Sequence, residues 1–359
     1  MTMNRKERRA AAKQERTGRK GVSAGDVAKI EKAIELAQAG ALGEAEALLD
    51  GVRKSDPDQP EVNHQLGMIY VRTGRTDAGL ELLQKAVELR PEESLYWNNL
   101  AAACLSIQRS QDAVDAARKA LALDPKNFMA WQNLALGQRD LGDRAGAIEG
   151  FERAAALGSL DAGSLASWGE CLGAQGRFAE AETMVRRALN AAHDDPPILT
   201  LLGWLLSEQG KNAEARDTFR RSLDRKADQF LAAFNYAVLS LRDQDDEAGL
   251  RWLRRATSID PKAVLAWRTL AFELARQKLN DEALPVAERT LRLAPDDAEI
   301  QNLVKKLKGG EDADQPMITI DFGDPLPIAP GAESKTVEPK PLEGSGMFDL
   351  SVVKIGGDD

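Results

Sequence analysis

The chain has 359 residues, of which 43% are hydrophobic and only 5% aromatic, and a formal net charge of −9. So little aromatic bulk argues against a large sheet core, and an acidic balance argues against nucleic acid as a partner, because phosphate neutralisation needs surplus Lys and Arg. The two cysteines, Cys104 and Cys171, make neither a CxxC pair nor a disulfide framework, as expected in a reducing compartment.

Residues 1–20 carry eight Lys or Arg side chains against Glu7 and Glu15, with no apolar stretch of the kind a secretory signal needs. Residues 1–25 are therefore expected to form a basic, flexible N-terminal arm. It would give at most weak, salt-sensitive contact with anionic lipid or RNA, and it reads equally as a solubility tail. No segment approaches the roughly 18 uninterrupted apolar residues of a membrane span. A soluble, cytoplasmic protein is expected.

From residue 26 onward the chain repeats. Pro57, Pro91 and Pro125 stand 34 residues apart, and Pro261 and Pro295 resume the same phase. Units counted from residue 26 in steps of 34 give eight copies. Their eighth position is Ala33, Gly67, Ala101, Ala135, Gly169, Gly203, Ala237 and Ala271. Their twentieth is Ala45, Gly79, Ala113, Ala147, Ala181, Ala215, Gly249 and Ala283. Small side chains at both points predict two helices, A and B, that touch closely within each unit.

Large residues at the fourth and seventh positions (Trp97 and Leu100 in the third unit) share a helical face with the eleventh and are expected to fill the space between units. Gly40, Gly74, Gly142, Gly176 and Gly210 fall where helix A must stop, since glycine adopts the left-handed conformation without strain. Asp-Pro pairs at 56–57, 124–125 and 260–261 mark the passage from one unit to the next. Lys29 and Lys32 give the first unit the polar face of a terminal repeat, and the run after Pro295 reads as a solvating cap. From residue 309 the tail carries eleven acidic residues against three lysines and is rich in Pro and Gly. It is expected to be disordered, with apolar islands at Met317–Phe322 and Met347–Ile355.

Over about residues 26–295 the chain resembles the tetratricopeptide-repeat family, whose pattern is W-x2-L-G-x2-Y followed by A, F, A and P. The resemblance implies an all-α, right-handed superhelical solenoid of about eight helix-turn-helix repeats with a C-terminal capping helix, together spanning residues 26–308. Helix A of each unit would line a concave groove with its positions 2, 5, 6, 9, 12 and 13.

Position six then places Asn99, Asn133 and Asn235, with Gln65, in that groove. Amides both donate and accept, so a row of them can pair with an extended peptide backbone. The row is similar to the asparagine ladder in the repeat half of O-linked N-acetylglucosamine transferases, although Ser167, Leu201 and Thr269 interrupt it. The same amides also read as ordinary polar surface. Position nine supplies Met68, Leu136, Trp204 and Phe272, an apolar stripe that reads either as ligand contact or as core. Arg139, Arg242, Arg268 and Arg276 add positive charge that would favour an acidic segment, unless they are simply a solvated face.

Nothing in the sequence points to catalysis, a metal or a cofactor. His64 and His193 are the only histidines and belong to no nucleophile-base arrangement. The expected function is a non-catalytic scaffold or adaptor that binds a partner peptide or helix in the groove. The alternatives are a recruiting subunit for a separate enzyme, or a scaffold whose own acidic tail occupies the groove.

Overall fold

The computed structural model describes residues 23–309, which are helical between short turns, with no strand among them. The acidic tail beyond Gly309, and all of the basic arm up to residue 22, lie outside the described residues. Residues 23–25, counted with the expected arm, are among the described residues. Ser23 caps the first helix by accepting from the Asp26 amide, and helix begins at Ala24.

The residues fall into two compact bodies, one ending at Ser159 and the other starting at Leu160. The first contains α1 (Ala24–Gln38), α2 (Leu42–Ser55), α3 (Pro60–Arg72), α4 (Thr76–Leu89), α5 (Ser94–Ser106), α6 (Ser110–Leu123), α7 (Phe128–Asp140) and α8 (Arg144–Leu157). The second contains α9 (Ala162–Ala174), α10 (Phe178–Ala191), α11 (Pro196–Glu208), α12 (Asn212–Arg225), α13 (Phe230–Arg242), α14 (Asp246–Ile259), α15 (Val264–Arg276), α16 (Asn280–Leu293) and α17 (Ala298–Gly309). From α3 onward every helix A begins 34 residues after the last, and α17 starts in the same phase. This is an all-α helical-repeat solenoid, and its repeat boundaries are those the prolines mark.

Within a repeat, helices A and B meet at positions eight and twenty. All sixteen of these residues are buried. The contact leaves no room for a larger side chain: a Cβ on Gly67 would lie 2.8 Å from Leu83 Cγ and 2.9 Å from the Gly79 carbonyl oxygen. Several A helices are buried almost all round, α11 without interruption from Ile198 to Ser207. A helix with no solvated face is one enclosed by neighbours on every side.

The turn after helix A is left-handed in every repeat. Gly40, Gly74, Gly142, Gly176 and Gly210 have φ between +72° and +83°. Gln108, Gln244 and Lys278 hold the same position at φ near +60°. The closing helix α17 buries Ile300, Leu303 and Val304 and pairs Lys308 with Glu288 at 2.8 Å.

Candidate functional site

The amides at position six do not form an open ladder. Asn99, Asn133 and Asn235 are 0% exposed and Gln65 is 4% exposed. Successive A helices approach so closely that position six faces the neighbouring helix instead of solvent. Gln65 Nε2 donates to Glu61 Oε1 at 2.7 Å, and Tyr96 Oη donates to Glu61 Oε2 at 2.8 Å. Asn99 Nδ2 lies 2.9 Å from His64 Nε2, and His64 Nδ1 lies 3.9 Å from Glu61 Oε1.

Asn98 Nδ2 donates to Asn99 Oδ1 at 3.2 Å, and Asn133 Nδ2 donates to Asn98 Oδ1 at 3.0 Å. A continuous polar line thus runs through the interior of the first body from α3 through α5 to α7. Burial pushes the Glu61 carboxyl up, but His64, Gln65 and Tyr96 outweigh it and hold the group below the usual carboxylate range. Burial and the adjacent Glu61 carboxylate push the Tyr96 phenol up, so it remains a donor.

The expected apolar stripe is also largely taken up by packing. Met68 is 2% exposed, Phe272 4% and Trp204 5%, whereas Leu136 is half-buried. Trp204 stacks edge-on against Phe178 at 6.2 Å and donates from Nε1 to Glu208. The arginines mostly bind neighbouring carboxylates: Arg139 pairs with Asp140, Arg268 with Asp297 and Glu299, and Arg276 with Asp246 and the buried Glu273. Arg242 is exposed at the end of α13.

An open site appears where the ladder is interrupted. In the second body α9, α11 and α13 enclose a cleft of about 190 Å³. Its walls are Ala166, Ser167 and Glu170 from α9, Pro197, Ile198 and Leu201 from α11, and Leu231 from α13. These residues occupy repeat positions 2, 3, 5, 6 and 9, mostly those expected to face a groove. Ser167 and Leu201 stand where the first body carries asparagine. Thr200 and Gln229 at the polar end are already bonded, with Thr200 Oγ1 2.9 Å from Ser222 Oγ and Gln229 Nε2 donating to that oxygen at 2.8 Å. Apart from Ser167 and Glu170 the remaining lining is apolar, suited to an aliphatic or aromatic side chain.

Cys104 and Cys171 are buried thiols outside any disulfide. Burial pushes the Cys104 thiol up to about 11, which leaves it a poor nucleophile at neutral pH. No group of metal-binding side chains occurs among the described residues, and none of their helices is long and apolar enough to cross a membrane.

Residues 2–236 match the family described as the cilia and flagella-associated protein 70 C-terminal domain, a tetratricopeptide-repeat domain. No curated protein matches the chain. Among solved structures, the Cut9–Hcn1 hetero-tetramer of the APC/C aligns with a TM-score of 0.52 at 17% identity, over 74% of this chain and 52% of that one. YrrB, described as a tetratricopeptide-repeat protein with an unusual peptide-binding site, aligns with a TM-score of 0.47 at 23% identity, over 53% of this chain and 98% of its own. MamA aligns with a TM-score of 0.40 at 26% identity, over 44% and 92%.

Proposed function

We propose that this chain, which belongs to the tetratricopeptide-repeat family of the cilia and flagella-associated protein 70 C-terminal domain, is a protein-interaction scaffold that anchors a partner segment by an apolar side chain between α9, α11 and α13. The observation that carries the reading is the cleft itself. At the A-helix positions where the first body is filled by its own amides, the second body leaves a largely apolar hollow of about 190 Å³, with Glu170 on its wall. A hollow of that size admits one side chain and not a small-molecule substrate, whose sites are usually about 300–1,000 Å³. Chemistry on a bound partner would then belong to another protein.

The scaffold is tested by filling the hollow. Ala166→Phe places a ring in the cleft from the half-buried rim of α9. Wild type and variant serve as paired baits in native lysate, with far-UV circular dichroism as the control on folding. Proteins retained by the wild type and lost from a normally helical variant are partners of the cleft. Identical retained sets would remove the cleft from the function.

A further inference from the structure

A second and larger cleft, of about 560 Å³, lies on the other side of the repeats in the first body, between the B helices α4 and α6 with α5 as its floor. Ala116 lines the cleft on α6, at a repeat position that holds Leu82, Met184 or Trp252 elsewhere and Gly150 in the following repeat. The floor is apolar, formed by Leu80, Trp97 and Leu100. The rims carry four exposed carboxylates, Asp77 and Glu81 on α4 and Asp112 and Asp115 on α6, against two cations, Arg109 and Lys119.

Of these carboxylates, Asp112 is paired with Arg109 at 2.6 Å, and Asp115 accepts a 3.3 Å bond from Gln111. Asp77 and Glu81 make no ion pair among the described residues. Lys119 already places its ammonium 4.2 Å from the centre of the Trp97 ring, so the cleft holds one cation against its aromatic floor.

We propose that the cleft between α4 and α6 is the docking site of the chain's own basic segment, residues 1–20, with its Arg and Lys side chains on the acidic rims and its short apolar residues over Trp97. The charges are complementary: the segment has eight basic residues against two acidic ones. The reach is sufficient. Twenty-two extended residues span up to about 75 Å, whereas helices pack about 8–10 Å apart, so the path from Ser23 to α5 is shorter than the chain available. Covalent tethering raises the local concentration of the segment to roughly millimolar, enough for a weak electrostatic contact to form. The contact leaves the cleft of the second body untouched and stands or falls independently of the proposed function.

Zero-length carbodiimide cross-linking of the full chain, with sequencing of the joined peptides by mass spectrometry, tests the docking. An equal mixture of isotopically light and heavy chains separates links within a copy from links between copies. The expected result is Lys6 or Lys13 joined to Asp77, Glu81, Asp112 or Asp115 of the same chain, with the yield at least about tenfold lower in 1 M salt, where the screening length falls to about 3 Å. The variant Arg5→Glu, Arg8→Glu, Arg9→Glu keeps both lysines, changes no described residue and should lose the same links. Links scattered over exposed carboxylates throughout the protein would overturn the proposal. So would links found only between light and heavy copies, or links that survive both salt and charge reversal.

Discussion

The indole Nε1 of Trp97 donates to the carbonyl oxygen of Pro91, six residues back, at 2.8 Å. The bond recurs at every proline of the repeat lattice: Asn63 to Pro57 at 3.0 Å, Trp131 to Pro125 at 3.0 Å, Trp267 to Pro261 at 3.1 Å and Gln301 to Pro295 at 2.7 Å. Where Ser159, His193 or Ala227 replaces the proline, the fourth position of the next helix is Leu165, Leu199 or Ala233, none of which has a side-chain donor. From the second unit onward, proline and donor occur together or not at all; the first unit has Ser23 and Lys29 instead. The tryptophans at this position are therefore more than apolar filling between repeats, because each satisfies a turn carbonyl that no helix bond reaches.

Removing one such donor should cost about 1 kcal/mol, the net worth of a single hydrogen bond. Trp267→Phe keeps an aromatic ring at the site and loses the N–H with part of the indole. Its urea midpoint should fall by at least that amount. Equal midpoints for Trp267→Phe and wild type would show that water replaces the indole at no cost.

The left-handed turns give a stabilising prediction. Gln108, Gln244 and Lys278 hold φ of 61°, 63° and 59° where other repeats use glycine. A side chain in this conformation costs roughly 1–2 kcal/mol, partly offset by the extra freedom glycine has when unfolded. Each change to glycine should raise stability by about 0.5–1 kcal/mol, and the triple variant should raise Tm by several degrees. A fall in Tm would mean that these side chains make contacts worth more than the strain.

Glycines within helices should divide by position. Gly67→Ala forces a methyl group against Leu83 and the Gly79 carbonyl and should destabilise by about 1–3 kcal/mol. Gly51 lies inside α2 with nothing within 4 Å of its Cβ direction, so Gly51→Ala should stabilise by about 0.5–1 kcal/mol. Calorimetry on both variants would detect the opposite signs.

The buried polar line predicts coupling between two residues on different repeats. Tyr96→Phe removes a donor from the fully buried Glu61 carboxylate and should cost about 1.5–3 kcal/mol. In a Glu61→Gln background the same change should cost less, because no charge is left underbonded. A double-mutant cycle reads the difference as a coupling energy. Additive effects would mean that the hydroxyl does not act on Glu61.

Acid should act on the second body through Glu182. Burial at this site favours the neutral acid, but bonds from Lys211 at 2.7 Å, Arg186 at 2.8 Å and Gln209 at 2.9 Å outweigh it and hold the carboxyl at about 2, below its ordinary 4.5. A folded value below the unfolded one stabilises the protein above pH 4.5, and the stabilisation is lost as pH falls from 4.5 toward 2. Glu182→Gln should therefore cost on the order of 1–2 kcal/mol at pH 7. Denaturation midpoints of wild type and variant should converge below pH 3; a constant gap from pH 7 to pH 2.5 would rule out the carboxylate as the cause.

Most of the fold was legible in the sequence because small residues and prolines recur at fixed positions, and those positions are where backbones touch and helices end. The first residue of α3, α5, α7 and each later helix A follows from counting. The candidate site was less legible. Position six marks the face on which Asn99 lies but carries no information about how closely α3 approaches α5, and that distance decides whether the amide meets solvent or His64. Met68 and Trp204 were ambiguous for the same reason, since an apolar residue on a helix face fits both core and groove. Ser167 and Leu201 read as gaps in a ladder, although the gaps are where the hollow forms. The pairing of each proline with a donor was present in the sequence, as amide or indole after every Pro and, from the second unit onward, Leu or Ala after every substitute.

That pairing also bears on how such an array can grow by gene duplication. A crossover placed at the start of helix A separates a proline from the side chain that serves it, and joins each to a stranger. A crossover in the left-handed turn between helices A and B carries both together, so a copied block of 34 residues arrives with its carbonyl already provided for. Exchange between repeats is conservative when cut at that turn, and the ancestral module is better framed from one such turn to the next than from proline to proline.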